Sequence, residues 1–292
     1  MSYQILKWAG ILVAMVPLTA FAGQSIDERW DVDSNVSVSI ENIAGEVVIE
    51  GWDKDEAHLT GELGDSAKEL DIDASASSLQ ISVQNHNQRN IDATRLRLMV
   101  PNRADIDAEG VSADIFVNGM NNEKLSASSV SGDVEIDASS EWVSIESVSG
   151  DVDFSGSTSR ITAESVSGDI NLSGISGEIS ATTVSGDMEL QAGSITSAKF
   201  ETVSGDIVTT GQISDSGRLT AESMSGDVFI NLPSDQTGQF KAQSFSGRIS
   251  TDFGSVEKAK HGPGSHLKYM SGKGGAELRV ESFSGNIKLI HD

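Results

Sequence analysis

The chain has 292 residues, with 20 Lys and Arg against 44 Asp and Glu, a formal net charge of −24, 29 glycines, four prolines and no cysteine. So acidic a polypeptide offers no basic surface for nucleic-acid phosphates, and without thiols it holds no disulfide framework, iron–sulfur cluster or thiolate zinc site. Aromatic residues make up only 5 %, yet 37 % of the chain is hydrophobic and regularly spaced, which argues for a folded protein rather than a disordered one.

Residues 1–22 read as a secretory signal peptide. Lys7 supplies the positive start, Trp8 to Ala20 is an apolar run, and Ala20-Phe21-Ala22 is a small-x-small cleavage site before Gly23. A membrane anchor needs about 18 or more apolar residues, and Pro17 interrupts this run. No later stretch is long and apolar enough to span a bilayer, so no transmembrane segment is expected after cleavage. The expectation is an exported protein, in the periplasm, at the surface or secreted from a bacterium.

Residues 23–110 show strand grammar without a repeated word. Val36 to Ile40, Val47 to Ile49, Leu79 to Val83 and Leu96 to Val100 alternate apolar and polar residues at the period of a half-buried strand. Ile43-Ala44-Gly45-Glu46 is a worn copy of a motif that dominates the rest, and Asn85 to Asp92 is a polar loop. This region is expected to form degenerate coils and a cap.

Residues 111–292 repeat. The word VSGD begins at Val130, Val148, Val166, Val184 and Val203, with MSGD at Met224, FSGR at Phe245 and FSGN at Phe283. A forerunner, VSAD, begins at Val111, a further variant lies at Met270 to Lys273, and ISGE at Ile175 splits one unit into two nines. Successive anchors lie 18, 18, 18, 19, 21, 21 and then 38 residues apart. Apolar residues recur five and three before each anchor (Leu125 and Ala127, Val143 and Ile145) and four and six after it (Val134 and Ile136, Val152 and Phe154). Each unit therefore reads strand, Ser-Gly-Asp corner, strand, loop. A unit of 18–21 residues cannot bury its own apolar rows, but stacked on its neighbours it buries a continuous one. The expected fold is all-β: a single-stranded β-solenoid or β-helix, one domain with residues 23–110. Its coils lie about 4.8 Å apart, its aliphatic rows face inward, and its Ser, Glu and Asp rows face outward. Glycine at the corner is expected to supply a positive φ.

Three features together resemble a bacterial family of exported β-solenoid domains of unknown function, labelled putative adhesins. They are the Ile43-Ala44-Gly45-Glu46 to Gly51-Trp52-Asp53 opening, the Leu98-Met99-Val100-Pro101 strand end, and the tandem VSGD series. The chain is also similar, more distantly, to the heads of autotransporter adhesins. The resemblance implies the solenoid fold and an adhesive or structural role, and brings no catalytic residues.

The acidic ladder is the strongest chemical constellation. Asp133, Asp151, Asp169, Asp187, Asp206 and Asp227 follow the corner glycine in successive repeats, and Glu146, Glu164, Glu201 and Glu222 form a second row. Carboxylates about 4.8 Å apart in water repel by about 1 kcal/mol per pair. Two readings are open: the aspartates accept hydrogen bonds from corner amides, or stacked corners bind calcium, which favours six to eight oxygen ligands. Calcium is thus the one cofactor that the pattern suggests.

No nucleophile, metalloprotease or phosphate-loop motif is present, and no catalytic residue is assigned. Residues 240–292 carry eight bases and five acids, against the acidic remainder. Lys258, Lys260, Lys268, Lys273, Arg279 and Lys288 cluster there in sequence and are candidates for docking to an anionic or acidic component of the envelope. The expected function is a non-catalytic, adhesin-like interaction or structural module whose partner is an envelope protein or glycan. A calcium-stabilised binding module is the alternative, and a glycan-active enzyme on a β-helix the third. An uncapped solenoid would also allow end-to-end self-association.

Overall fold

A computed structural model describes residues 24–85, 91–258, 264–273 and 275–291. Residues 1–22, expected to be a signal peptide, most of the polar stretch from Asn85 to Asp92, and Lys260 lie outside the described residues. Those described form nineteen strands and no helix; in particular, none forms a helix long and apolar enough to cross a membrane.

The first six strands build the N-terminal end. They are β1 (Ser25–Asp31), β2 (Ser37–Trp52), β3 (Glu56–Glu62), β4 (Ala67–Ala74), β5 (Ser78–Asn85) and β6 (Thr94–Pro101). β2 runs parallel to β5 through its first half and parallel to β6 through its second. β3 lies antiparallel to both β1 and β6, and β4 lies antiparallel to β5. The next strand, β7 (Asp105–Ser129), does not stack on β6. It pairs in parallel with the opposite edge of β2, Val38 beside Ile106 and Val47 beside Ile115. The first complete coil in sequence is therefore the second in space.

From β7 the stack is sequential through β8 (Val134–Ser147), β9 (Val152–Glu164), β10 (Ile170–Thr183), β11 (Met188–Thr202) and β12 (Ile207–Ser223). Partners sit 18 residues apart from Val134 to Val152 to Ile170 to Met188, then 19 apart to Ile207. Alternation dictates what points inward. Leu125, Val143, Ile161, Ile179, Ala198 and Leu219 form one interior row, and Val134, Val152, Ile170, Met188 and Ile207 another. Each of these eleven is at most 3 % exposed. Fully burying one such aliphatic side chain is worth about 1.5–3 kcal/mol, and every coil contributes several.

The C-terminal end mirrors the N-terminal one. Its strands are β13 (Val228–Leu232), β14 (Gly238–Ser244), β15 (Ile249–Thr251), β16 (Val256–Lys258), β17 (Ser265–Ser271), β18 (Ala276–Ser282) and β19 (Ile287–His291). β18 pairs in parallel with β12 on one side and β14 on the other, while β19 pairs with β13 and β15. The last coil in sequence is thus inserted between two earlier ones. β17 then covers β14 antiparallel, with β16 beyond it. Met270 to Lys273 resembles the repeat word in sequence, but it ends an antiparallel capping strand and forms no rung of the stack. Antiparallel strands finish the N-terminal end and one side of the C-terminal end, where β15, parallel to β19, is the outermost strand of the other side, so end-to-end assembly would meet β1, β4, β15 or β16.

Candidate functional site

The repeated corner is a small hydrogen-bonded machine. At the Ser-Gly corners from Val130 on, the hydroxyl just before the exposed anchor is buried and accepts the backbone N–H of the corner glycine: Ser147 from Gly150 at 2.9 Å, Ser165 from Gly168 at 2.9 Å, Thr202 from Gly205 at 3.0 Å and Ser223 from Gly226 at 2.7 Å. With that hydroxyl turned in, alternation turns the anchor out.

The anchor row is accordingly on the outside, unlike the other aliphatic rows. Val111, Val130, Val148, Val166, Val184 and Val203 are 43–47 % exposed, Met224 58 %, Phe283 56 % and Phe245 45 %. Ile175, the anchor of the half-repeat, is fully buried, so the two kinds of corner are not equivalent. The exposed row is continuous in space. The serine after each anchor donates its N–H to the carbonyl of the anchor one coil back: Ser149 to Val130 at 3.0 Å, Ser225 to Val203 at 3.0 Å, Ser284 to Met224 at 3.0 Å and Ser246 to Phe283 at 2.9 Å. The order of rungs is Val111, Val130, Val148, Val166, Val184, Val203, Met224, Phe283 and Phe245. At about 4.8 Å per coil they form an apolar ridge roughly 38 Å long.

The corner glycines do not adopt a positive φ; they are required for another reason. A Cβ on Gly150 would lie 2.0 Å from the carbonyl oxygen of Gly132, and one on Gly168 would lie 1.9 Å from that of Gly150. Backbone of the neighbouring coil occupies the space a side chain would need. Left-handed glycines occur elsewhere, as at Gly156 and Gly174.

The six aspartates singled out in the sequence form one continuous row, and their carboxylates reach between coils. Oδ1 of Asp133 accepts the backbone N–H of Asp151, Asp151 that of Asp169, Asp169 that of Asp187, Asp187 that of Asp206 and Asp206 that of Asp227, at 2.7–2.9 Å. Two further members were not among them. Asp114, from the VSAD forerunner, accepts from Asp133 at 3.0 Å. Asn286, from FSGN, donates its backbone N–H to Asp227 at 2.7 Å, and its Oδ1 accepts from Arg248. Their offset from the anchor was the available signal. Among the described residues, no three acidic or histidine side chains converge on one point.

The glutamate row lies on the other flank of the ridge, two residues before the anchors, and is interrupted by Ser128, Thr182 and Gln243. Glu146 sits beside Glu164, Glu201 beside Glu222, and Glu222 beside Glu281. Lys199 reaches Glu201 at 2.7 Å, and that hydrogen bond holds its ammonium pKa above the usual lysine value.

The basic candidates do not form one patch. Lys268 is paired across strands with Lys241, and Lys241 with Arg279, giving a short cationic row that includes a lysine the sequence did not single out. Arg279 is bound to Glu281 at 2.8 Å. Lys288 lies past the corner, with Nζ 5.0 Å over the Phe229 ring. Lys258 is on the capping strand β16 and Lys273 in the turn that follows β17.

Where the valines give way to larger anchors the ridge opens into a recess of about 610 Å³, lined by Val203, Met224, Phe245 and Phe283 with Glu201, Glu222 and Glu281 along one edge. Phe245 and Phe283 stack with centroids 4.8 Å apart and planes 8° from parallel.

A family model described as Toastrack DUF4097 matches residues 31–290. A solved protein from Parabacteroides distasonis, named a putative lipid binding protein, is 12 % identical over 91 % of this chain and 97 % of its own, with a TM-score of 0.51. A putative adhesin from Bacteroides fragilis is 12 % identical over the same shares, with a TM-score of 0.43. A putative cell adhesion protein from Clostridium sporogenes is 10 % identical over 92 % of this chain and all of its own, with a TM-score of 0.21. No curated protein matches the chain.

Proposed function

The chain belongs to the Toastrack DUF4097 family, and from that premise we propose that it is an exported, non-catalytic, adhesin-like binding module of a bacterial cell envelope, with the apolar ridge as its contact surface. The observation that carries this reading is the exposed anchor row. Nine apolar side chains stand outside a fold whose other aliphatic rows are buried to a few per cent. Folding does not require this, because the corner is closed by the inward hydroxyl, the glycine and the aspartate. Contiguous exposed apolar strips of this kind mark interaction surfaces. Among the described residues the acidic rows follow the repeat and no three acidic or histidine side chains converge on one point, whereas a catalytic site on a solenoid would need a local cluster.

The test is binding of the purified protein to fractionated bacterial envelope, separately to peptidoglycan, outer-membrane and protein fractions. A V148S/V166S/V184S variant is expected to keep the wild-type melting curve and lose retention on one fraction. Equal retention of variant and wild type on every fraction would overturn the assignment of the ridge.

A further inference from the structure

We propose that the recess at the C-terminal end of the ridge binds a basic, amphipathic polypeptide segment, its apolar side chains on Met224, Phe283 and Phe245 and its Lys or Arg groups on Glu201, Glu222 and Glu281. This rests on the ridge being a contact surface and names the chemistry of the partner at one end of it.

The floor departs from the rest of the ridge. Five VSGD anchors are valine, a stiff side chain that presents little area. The following rungs are Met224, Phe283 and Phe245, in that spatial order because the last coil in sequence is inserted. Methionine adapts its shape to a partner, and the stacked phenylalanines leave 56 % and 45 % of their surface to solvent. Two exposed, parallel aromatic rings are a poor arrangement for an isolated surface and a good platform for an apolar side chain or a guanidinium.

The edge selects charge. Glu201, Glu222 and Glu281 occupy three successive rungs of one row. The fold already sets cations on two of them, Lys199 on Glu201 and Arg279 on Glu281, at 2.7 and 2.8 Å. Those pairs are exposed and therefore weak, and a partner's lysine or arginine can share or replace them. The same carboxylates disfavour the other occupants. A second copy of this chain laid ridge to ridge would bring acidic rows against acidic rows, and anionic lipid, acidic polysaccharide and nucleic acid would be repelled. The length fits a helix or a strand: four rungs span about 14 Å, and about 12 residues of helix at 1.5 Å each cover that with room at both ends.

The probe is a fluorescein-labelled synthetic helix of about 12 residues, leucine on one face and lysine on the other, titrated into the purified protein at low and high salt. Two control peptides replace every lysine by glutamate or every leucine by serine. Saturable binding of the lysine–leucine peptide, weakened at least tenfold by high salt and by either control change, is expected. F245S/F283S and E201Q/E222Q/E281Q should each weaken it at least tenfold, the second also flattening the salt dependence, while E135Q, outside both the ridge and the recess, leaves it unchanged. All variants alter exposed or half-buried positions, and melting curves verify their folds.

Absence of binding, binding of the glutamate peptide as well as the lysine one, or indifference to both recess variants overturns the proposal. So does retention of neutral oligosaccharide or of anionic vesicles at the recess in place of the peptide. Envelope retention read with V148S/V166S/V184S separates the two ideas. If it is still lost while the peptide fails to bind, the contact surface stands and this partner falls; if it is unaffected, the broader reading falls.

Discussion

Asp151 Oδ1 accepts the backbone N–H of Asp169 at 2.9 Å, although the two residues lie one full coil apart. The carboxylate joins its own coil to the next, and its repetition from Asp114 to Asn286 makes a spine of charge-assisted bonds along the stack. Hydrogen bonds to charged groups contribute about 1.5–3 kcal/mol each, set against repulsion of about 1 kcal/mol between exposed neighbours in water. Attraction between a carboxylate and an amide therefore exceeds the repulsion within the row, and the acidic ladder holds without a countercharge.

Replacing Asp151 by alanine should accordingly cost about 1–2 kcal/mol in urea unfolding, because the Asp169 amide loses its acceptor. Asp151→Asn should cost less than half of that, since an amide oxygen serves as acceptor in the rung where Asn286 accepts from Arg248. Equal losses in the two variants would show that charge, not the inter-coil bond, is what matters.

Calcium is expected to leave the melting temperature where chelator leaves it, at constant ionic strength. Each rung supplies one aspartate whose Oδ1 is engaged by an amide, whereas calcium favours six to eight oxygens around one point. A saturable rise with calcium would return the Asp133–Asp227 row to the metal reading, through the linkage between binding and stability.

Gly168→Ala places a methyl 1.9 Å from the Gly150 carbonyl oxygen and should destabilise by about 3 kcal/mol or prevent folding, because two coils must separate to admit it. Gly275→Ala is the control: the nearest atom to its Cβ is Asp215 Oδ1 at 3.9 Å, and its effect should stay within about 0.5 kcal/mol.

The ridge and the core should respond oppositely to truncation. Val166→Ser, on the outside, is expected to change stability by no more than about 0.5 kcal/mol. Ile161→Ala, at 1 % exposure in the interior row, should cost about 2–5 kcal/mol. Comparable losses at the two positions would mean that Val166 is held by a partner copy in solution, which sedimentation would detect.

Much of this architecture can be read from spacing alone. Period-two alternation identifies the strands around Val134 and Ile136, and the 18-residue interval predicts that Val152 lies above Val134, because side-chain direction along a strand depends only on local backbone geometry. The interior rows, the outward Asp and Glu rows and the acidic character follow from composition and period. The worn motif at Ile43 likewise falls in register with Val111, between the pairs Asn42–Gly110 and Ala44–Ser112.

Three features were decided only when the chain came together. From Val130 on, a buried hydroxyl one residue earlier bonds the corner glycine and turns the anchor outward, and hydropathy cannot distinguish such a valine from a core one. The corner glycines are fixed by the carbonyl of the adjacent coil, a steric limit invisible to a rule about φ. The order of the stack is the third: repeats of nearly equal grammar are interchangeable neighbours at the level of sequence, so nothing local ranks β18 beside β12 above β14 beside β12. Pairing across 59 residues, as between Arg218 and Glu277, is settled by how the capping strands close the end. That insertion brings Phe283 between Met224 and Phe245 and creates the recess.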